Sequence, residues 1–228
     1  SVDKRIARVA KMAKQKDKDA MIEEPILLKL KEVLEAEKPA RAADLSDDEK
    51  KVIKGLHLLT IKPMLYVANV SEDEVADPSE NKYVKMVQEY AAAEGAQVIV
   101  VCAKIEEEIS ELEDEEKKEF LAELGIAESG LDQLIKASYS LLGLATYFTA
   151  GVQEVRAWTF RKGMKAPQCA GVIHTDFERG FIRAETVAYA DLVEAGSMNV
   201  AKEAGKVRSE GKEYIVQDGD VMLFRFNV

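Results

Sequence analysis

The chain has 228 residues and a mass of 25.3 kDa, room for one large domain or two or three small ones. Hydrophobic residues make up 47% and charged residues 32%, with 13 Gly and 5 Pro, which excludes a collagenous or low-complexity chain and predicts a folded one. Net charge is −10 and its excess is central: residues 51–140 hold 9 Lys+Arg against 19 Asp+Glu, while the flanks are balanced.

No apolar run approaches the roughly 18 residues of a membrane helix. The opening Ser1-Val2-Asp3-Lys4-Arg5 carries no apolar signal segment. A soluble, cytoplasmic protein with no membrane partner is expected. Cys102 and Cys169 are too few for a disulfide scaffold or a four-ligand zinc site and are expected as thiols.

Val2, Ile6, Val9 and Ala13 follow a 4,3,4 spacing, which predicts a helix with one buried, coiled-coil-like seam. Lys14 to Asp19 is a polar break. Pro25 then suits a first helical turn, and Ile26, Leu27, Leu30, Val33 and Leu34 share one face, giving a second helix that Pro39 stops. Two heptads make a marginal isolated seam, so the hairpin is expected to pack mainly on itself. Ser46 and Glu49 form a capping box before Val52, Ile53 and Leu56, so residues 1–60 read as a helical arm.

Residues 61–142 change texture. Pro63 to Val70 and Ala96 to Ala103 are short apolar runs, with a helical period from Tyr83 to Ala93 between them. Apolar on both faces, such strands belong in a covered parallel sheet, and strand, helix, strand is a βαβ unit. Helices are predicted over Ile105–Leu112, Asp114–Leu124 and Leu131–Leu142, and the glutamates from Glu106 to Glu119 read as their solvated faces. The α/β pattern looks incomplete, because two strands seldom make a stable sheet.

From 143 to 228, strands are expected at Val152–Phe160, Gly171–Thr175, Glu213–Val216 and Val221–Phe226, with a helix over Ala188–Ala195. Strand pair, helix, strand pair in fewer than 90 residues predicts a small α+β domain of β-grasp type.

Phosphate binding is not encoded in a Walker A loop. Gly205 to Glu213 has five residues between Gly205 and Gly211, ends in Glu, and leads into a strand where a P-loop leads into a helix. His57 and His174 lack a ligand partner at metal-binding spacing, and no nucleophile triad is visible, so neither a catalytic residue nor a metal ligand is assigned in this chain. The ends of the two apolar strands are more informative, since ligands of open α/β sheets sit at carboxyl strand ends. Asn69-Val70-Ser71-Glu72 resembles the Asn-Lys-x-Asp base-reading motif of GTPases, with Val for Lys and Glu for Asp. Cys102-Ala103-Lys104 resembles the Ser-Ala-Lys motif that closes over the base. A carboxylate accepts from guanine N1 and N2 in that motif, and the longer Glu72 would misplace the pair, which makes adenine plausible.

These motifs, with Tyr147 to Gly151, Glu154 to Thr159, His174 to Ala184, Asp218-Gly219-Asp220-Val221 and the terminal Phe226-Asn227-Val228, closely resemble the YchF/Obg-like ATPase family of translation-factor-class P-loop NTPases over essentially the whole chain. The resemblance implies an α/β remnant of a P-loop NTPase domain at 61–142, an inserted α-helical coiled-coil hairpin at 1–60, and a ubiquitin-like TGS domain at 143–228. It implies base contacts from Asn69, Val70 and Glu72, with Ala103 and Lys104 flanking, ATP preferred over GTP, and association with the ribosome through its large subunit. The family's P-loop, Mg²⁺-binding Thr and Asp-x-x-Gly switch precede the hairpin and are not in this sequence. The chain therefore reads as a C-terminal portion that lacks the N-terminal nucleotide-binding half, inactive by itself and binding neither ATP, GTP nor Mg²⁺ tightly alone.

A second reading is a non-catalytic RNA- or ribosome-binding module. Its basic candidates are Arg156, Arg161, Lys162, Lys165, Arg179, Arg183, Lys206, Arg208 and Lys212, interleaved with Trp158, Phe160, Phe177 and Phe181.

Overall fold

The structure, a computed structural model, describes residues 1–151 and 154–227. Val152 and Gln153, where the sequence begins one expected strand, and Val228 of the terminal motif lie outside the described residues. The chain divides into two compact units, Ser1–Gly130 and Leu131–Val228.

The first unit opens with α1 (Val2–Lys14) and α2 (Lys18–Glu35), joined by three residues. They run antiparallel, with Lys31 paired to Asp3 at the end away from the link. Arg5 clamps Glu23 through Nε and Nη2, both at 2.7 Å, and Glu23 is buried. The apolar stripe packs as expected: Val9, Ile26, Leu27 and Leu30 join Ala40, Leu45 and Ile53 in one cluster. Pro25 departs from its expected place. Asp17 caps α2 by accepting from Ala20 N at 2.9 Å, which starts the helix at Lys18 and leaves Pro25 in its interior. The capping box precedes α3 (Asp47–Ile53): Glu49 N donates to Ser46 Oγ at 3.2 Å and Ser46 N to Glu49 Oε2 at 2.8 Å.

The strand-helix-strand segment follows as β1 (Leu65–Asn69), a short α4 (Glu72–Val75), α5 (Lys82–Glu94) and β2 (Gln97–Val101). The strands pair in parallel, with Asn69 opposite Val101. The expectation of a covered sheet does not hold within this chain. Of the ten residues in the two strands only Ile99 is buried, and Val67 is 48% exposed. Two helices, α6 (Ala103–Ser110) and α7 (Asp114–Glu123), pack Ile105, Ile109 and Leu121 against Cys102 and leave their glutamates outward except Glu106, which accepts from the Gly130 N–H at 2.6 Å.

The second unit holds α8 (Gly130–Leu141), β3 (Leu144–Ala150), β4 (Val155–Arg161), α9 (Ala166–Ile173), α10 (Thr175–Arg179), β5 (Phe181–Ala188), α11 (Tyr189–Ala195), α12 (Met198–Glu203), β6 (Arg208–Glu210) and β7 (Asp220–Phe226). Its sheet runs β4-β3-β7-β5-β6, with β3 parallel to β7 and the other neighbours antiparallel. Tyr147, Phe160, Met222 and Phe224 form the core with Cys169 and Ala170 of α9, and the Tyr147 hydroxyl donates to the Cys169 carbonyl at 2.9 Å.

Two expected strands are corrected. Gly171-Val172-Ile173 is the last turn of α9, since Pro167 in its first turn starts a helix whose apolar face Ala166, Cys169 and Ala170 bury on the sheet. Residues 213–216 contribute only an isolated bridge from Ile215 to Lys165. The strands in their place are β3 and β5. Gly180 stands before β5 because a Cβ there would collide with the backbone of Asn227.

Candidate functional site

β1 and β2 are parallel and in register, so their carboxyl ends lie side by side and all five base-motif residues gather there. Val70 is buried, and its N–H donates to the Val101 carbonyl at 2.9 Å, carrying the strand pairing one residue beyond β1. The loop ends are then stitched across. Asn69 Oδ1 accepts from the Ala103 N–H at 2.9 Å, and Lys104 Nζ donates to Glu72 Oε2 at 2.8 Å. Lys104 also lies 3.9 Å from Glu108, and the hydrogen bond to Glu72 chiefly raises its pKa.

A second capping box, unread in the sequence, fixes the turn that holds Glu72. Ser71 Oγ donates to Glu74 Oε2 at 2.7 Å, the Ser71 N–H donates to the same oxygen at 3.4 Å, and Asn81 Nδ2 donates to Glu74 Oε1 at 3.0 Å. These bonds hold the Glu74 carboxyl below its ordinary pKa. Its signal was present as Ser71-x-x-Glu74.

The arrangement ties together two loops that follow different strands. Asn69 spends its oxygen on the Ala103 loop, which leaves its amide nitrogen as a donor toward a ring nitrogen. Glu72 offers a carboxylate whose charge Lys104 already meets. Gly205 to Glu213 contains β6, a strand, where a P-loop would lead into a helix. Among the described residues no three His, Cys, Asp or Glu side chains converge as metal ligands. His174 accepts from the Asp176 N–H at 3.2 Å through Nδ1, as a helix cap.

The basic candidates of the second unit separate into two groups. Lys165 pairs with Glu213, Arg183 with Glu185, Lys206 with Asp191, Arg208 with Glu210 and Asp220, and Arg156 at 3.7 Å with Glu154. Arg161, Lys162, Arg179 and Lys212 have no ion-pair partner among the described residues. Arg208 also donates to the Tyr214 hydroxyl at 2.9 Å, and Tyr214 in turn donates to the buried Asp220 at 2.7 Å, which ties Arg208 to that buried carboxylate. The four aromatics divide too. Phe160 and Phe181 are core at 3% exposure each, whereas Trp158 and Phe177 are half-buried and line a cavity.

Residues 144–227 match the YchF-GTPase_C family model, described as a protein of unknown function (DUF933). Over all 228 residues the chain is 74% identical to the ribosome-binding ATPase YchF of Bacillus subtilis (strain 168), and spans 62% of that relative's length. It is 44% identical over 215 residues to Obg-like ATPase 1 of Rattus norvegicus, covering 92% of this chain and 54% of the relative. Among solved structures, the YchF GTPase of Schizosaccharomyces pombe superposes with a TM-score of 0.83 at 35% identity, over 98% of this chain and 61% of that one. A GTP binding protein from Pyrococcus horikoshii OT3 shares the fold at a TM-score of 0.53 and 19% identity, over 88% of this chain and 57% of that one.

Proposed function

The chain belongs to the YchF/Obg-like ATPase family, and from that membership we propose that it carries the base-recognition half of a ribosome-associated, adenine-preferring nucleoside-triphosphatase. The supporting observation is the paired strand ends. Asn69 bound to Ala103 and Glu72 bound to Lys104 hold one base-sized edge between two loops of different strands. In this reading Asn69, Val70 and Glu72 contact the base, and Ala103 and Lys104 close over it.

Phosphate, Mg²⁺ and switch contacts belong to the length that the relatives have beyond this chain. The apolar residues left outward on β1 and α5 (Val67, Tyr83, Met86 and Tyr90) support that division, because large exposed apolar groups in one region mark a covered surface. The arm at 1–60, the α/β segment at 61–142 and a TGS-type β-grasp domain at 143–228 are the corresponding parts. The working site is cytoplasmic, on the large ribosomal subunit.

Calorimetric titration tests this. The 228-residue chain is expected to bind ATP weakly or not at all, and the protein extended to its relatives' length to bind and hydrolyse ATP with Mg²⁺. Hydrolysis of GTP tenfold faster than ATP by the extended protein would overturn the reading of Glu72.

A second reading, an RNA- or ribosome-contact role for the second unit, is favoured by Arg161, Lys162, Arg179 and Lys212, whose charges no carboxylate of the described residues meets. Charge reversal at Arg161 and Lys162 is then expected to weaken ribosome or RNA binding and flatten its salt dependence. Unchanged binding would sink it.

A further inference from the structure

We propose that the β4 edge of the second unit's sheet is a docking site for an extended acidic peptide of a partner protein, added as a further strand. The sheet ends on two unlike strands: β6 has three residues and β4 has seven. Folded proteins keep exposed edges short or covered, because a long one presents unpaired backbone groups to any other chain.

The ladder decides which groups those are. The Lys162 N–H donates to the Gly143 carbonyl at 2.8 Å, and the Gly151 N–H to the Glu154 carbonyl at 2.9 Å. Bonded pairs alternate in an antiparallel ladder, so with Leu144 opposite Arg161 the backbone groups of Arg156, Trp158 and Phe160 turn toward β3. Those of Val155, Ala157, Thr159 and Arg161 turn outward. Arg161 spends its pair on the following turn, donating to Met164 Sδ at 3.4 Å and accepting from the Met164 N–H at 3.1 Å. Val155, Ala157 and Thr159 turn theirs to the open edge, and all three residues are exposed, Val155 to 74%. α8 meets this strand through the Tyr139 hydroxyl, 3.1 Å from Thr159 Oγ1, a contact between side chains that leaves the backbone open.

The side chains select the occupant. Phe160 and Trp158 face the core, so Val155, Ala157 and Thr159 share the opposite face and suit β-branched residues on an incoming strand. At the end of β4, Arg161 and Lys162 have no ion-pair partner among the described residues, whereas Arg156 is met by Glu154 at 3.7 Å. With Arg156, Arg161 and Lys162 against Glu154 alone, the edge repels a second copy of itself and attracts an acidic strand. RNA would use the two unmet cations and leave the row of backbone groups idle. Antiparallel pairing is the more stable kind, and it sets the N-terminal residues of the peptide beside Arg161 and Lys162.

The probe is a fluorophore-labelled peptide of alternating valine and threonine with two glutamates at its N-terminus, titrated against the 228-residue chain by anisotropy. A twin with two lysines in place of the glutamates is the control. Saturable binding that weakens with salt is expected for the acidic peptide. Hydrogen exchange followed by NMR should show the Val155, Ala157 and Thr159 amides newly protected, and those of Trp158 and Phe160, already bonded to β3, unchanged. Ala157→Pro removes an outward donor and no β3 bond, at a place where an edge strand tolerates proline, and should weaken binding roughly tenfold or more. It keeps both cations, so its effect separates strand pairing from any RNA contact by Arg161 and Lys162. The double variant Arg161→Glu with Lys162→Glu should reverse the preference toward the lysine peptide, and it carries the test if circular dichroism shows Ala157→Pro unfolded. Absent binding, or binding indifferent to a folded Ala157→Pro, would overturn the edge site. Equal binding of the two peptides, or a double variant that keeps the original preference, would overturn the acidic partner. A dimer in sedimentation with the three amides protected before peptide is added, or their protection by single-stranded RNA and not by peptide, would overturn the choice of occupant.

Discussion

The two sheets of this chain are built from similarly apolar strands and end in different states. In the second unit five strands bury Tyr147, Ala184 and Val187 completely. In the first unit the two strands leave nine of their ten residues at least partly exposed. Strand composition therefore reports how a strand is meant to be covered, while strand number decides whether the chain can cover it. A two-stranded parallel pair has one hydrogen-bonded seam and two open edges, too little to exclude water from either face.

The comparison breaks most visibly under core truncation. Phe160→Ala removes a buried ring that packs 5.8 Å from Tyr147 and is expected to cost about 3–5 kcal/mol. Leu30→Ala, in the α1–α2 cluster, is expected to cost about 2–5 kcal/mol. Urea unfolding separates the two, because Trp158 emission follows the second unit and far-UV circular dichroism follows both. Leu30→Ala should shift the dichroism transition and leave the Trp158 midpoint in place. A common shift of both probes would mean that the two units unfold as one.

Hydrogen exchange sharpens the same contrast. Amides of β3, β5 and β7 should exchange slowest and those of β1 and β2 orders of magnitude faster, since a marginal sheet opens locally. Equal protection of the two sheets would show that two strands with half-exposed faces suffice.

How far these differences were legible in the sequence varies with the type of signal. Helices announced themselves through period and caps: the Val2 to Ala13 stripe, Ser46 with Glu49, and the Tyr83 to Ala93 run all describe observed elements. The juxtaposition of Asn69 and Glu72 with Ala103 and Lys104 was legible because topology puts parallel strand ends together whatever lies between them. The errors lie where local pattern loses to tertiary packing. Gly171-Val172-Ile173 has strand composition, but α9 owns it because Ala166, Cys169 and Ala170 must face the sheet. The cavity was invisible, since its walls come from β3, β4, β7 and α10 and bring Phe177 and Phe226 together across 49 positions. The Lys104–Glu72 pair was likewise hidden, because each residue was read as a base contact and neither as the other's partner.

A smaller effect tests the helical arm. Ser46→Ala removes the oxygen that accepts the Glu49 N–H and releases the reciprocal bond to Ser46 N, and is expected to cost about 1 kcal/mol. Chemical denaturation followed by circular dichroism measures it, and the Trp158 transition should not respond.

The smallest expected effect is the pH dependence that Glu94 gives the first unit. Glu94 accepts from Arg41 Nη2 at 2.7 Å and from the Tyr66 hydroxyl at 3.0 Å, and Arg41 holds its carboxyl below the ordinary value of 4.5. A carboxyl depressed in the folded state stabilises the fold above its unfolded pKa, and that contribution is lost as pH falls through the folded value. The melting midpoint of the first unit should therefore fall as pH drops below about 4.5. Arg41→Met removes the partner that sets the shift, so its melting midpoint should start lower near neutral pH and change less on acidification. The Arg41 Nε, buried without an acceptor among the described residues, already costs the pair part of its benefit, which is why the effect ranks last. If wild type and Arg41→Met lost the same stability on acidification, the acid sensitivity would belong to other carboxylates and Glu94 would be a bystander.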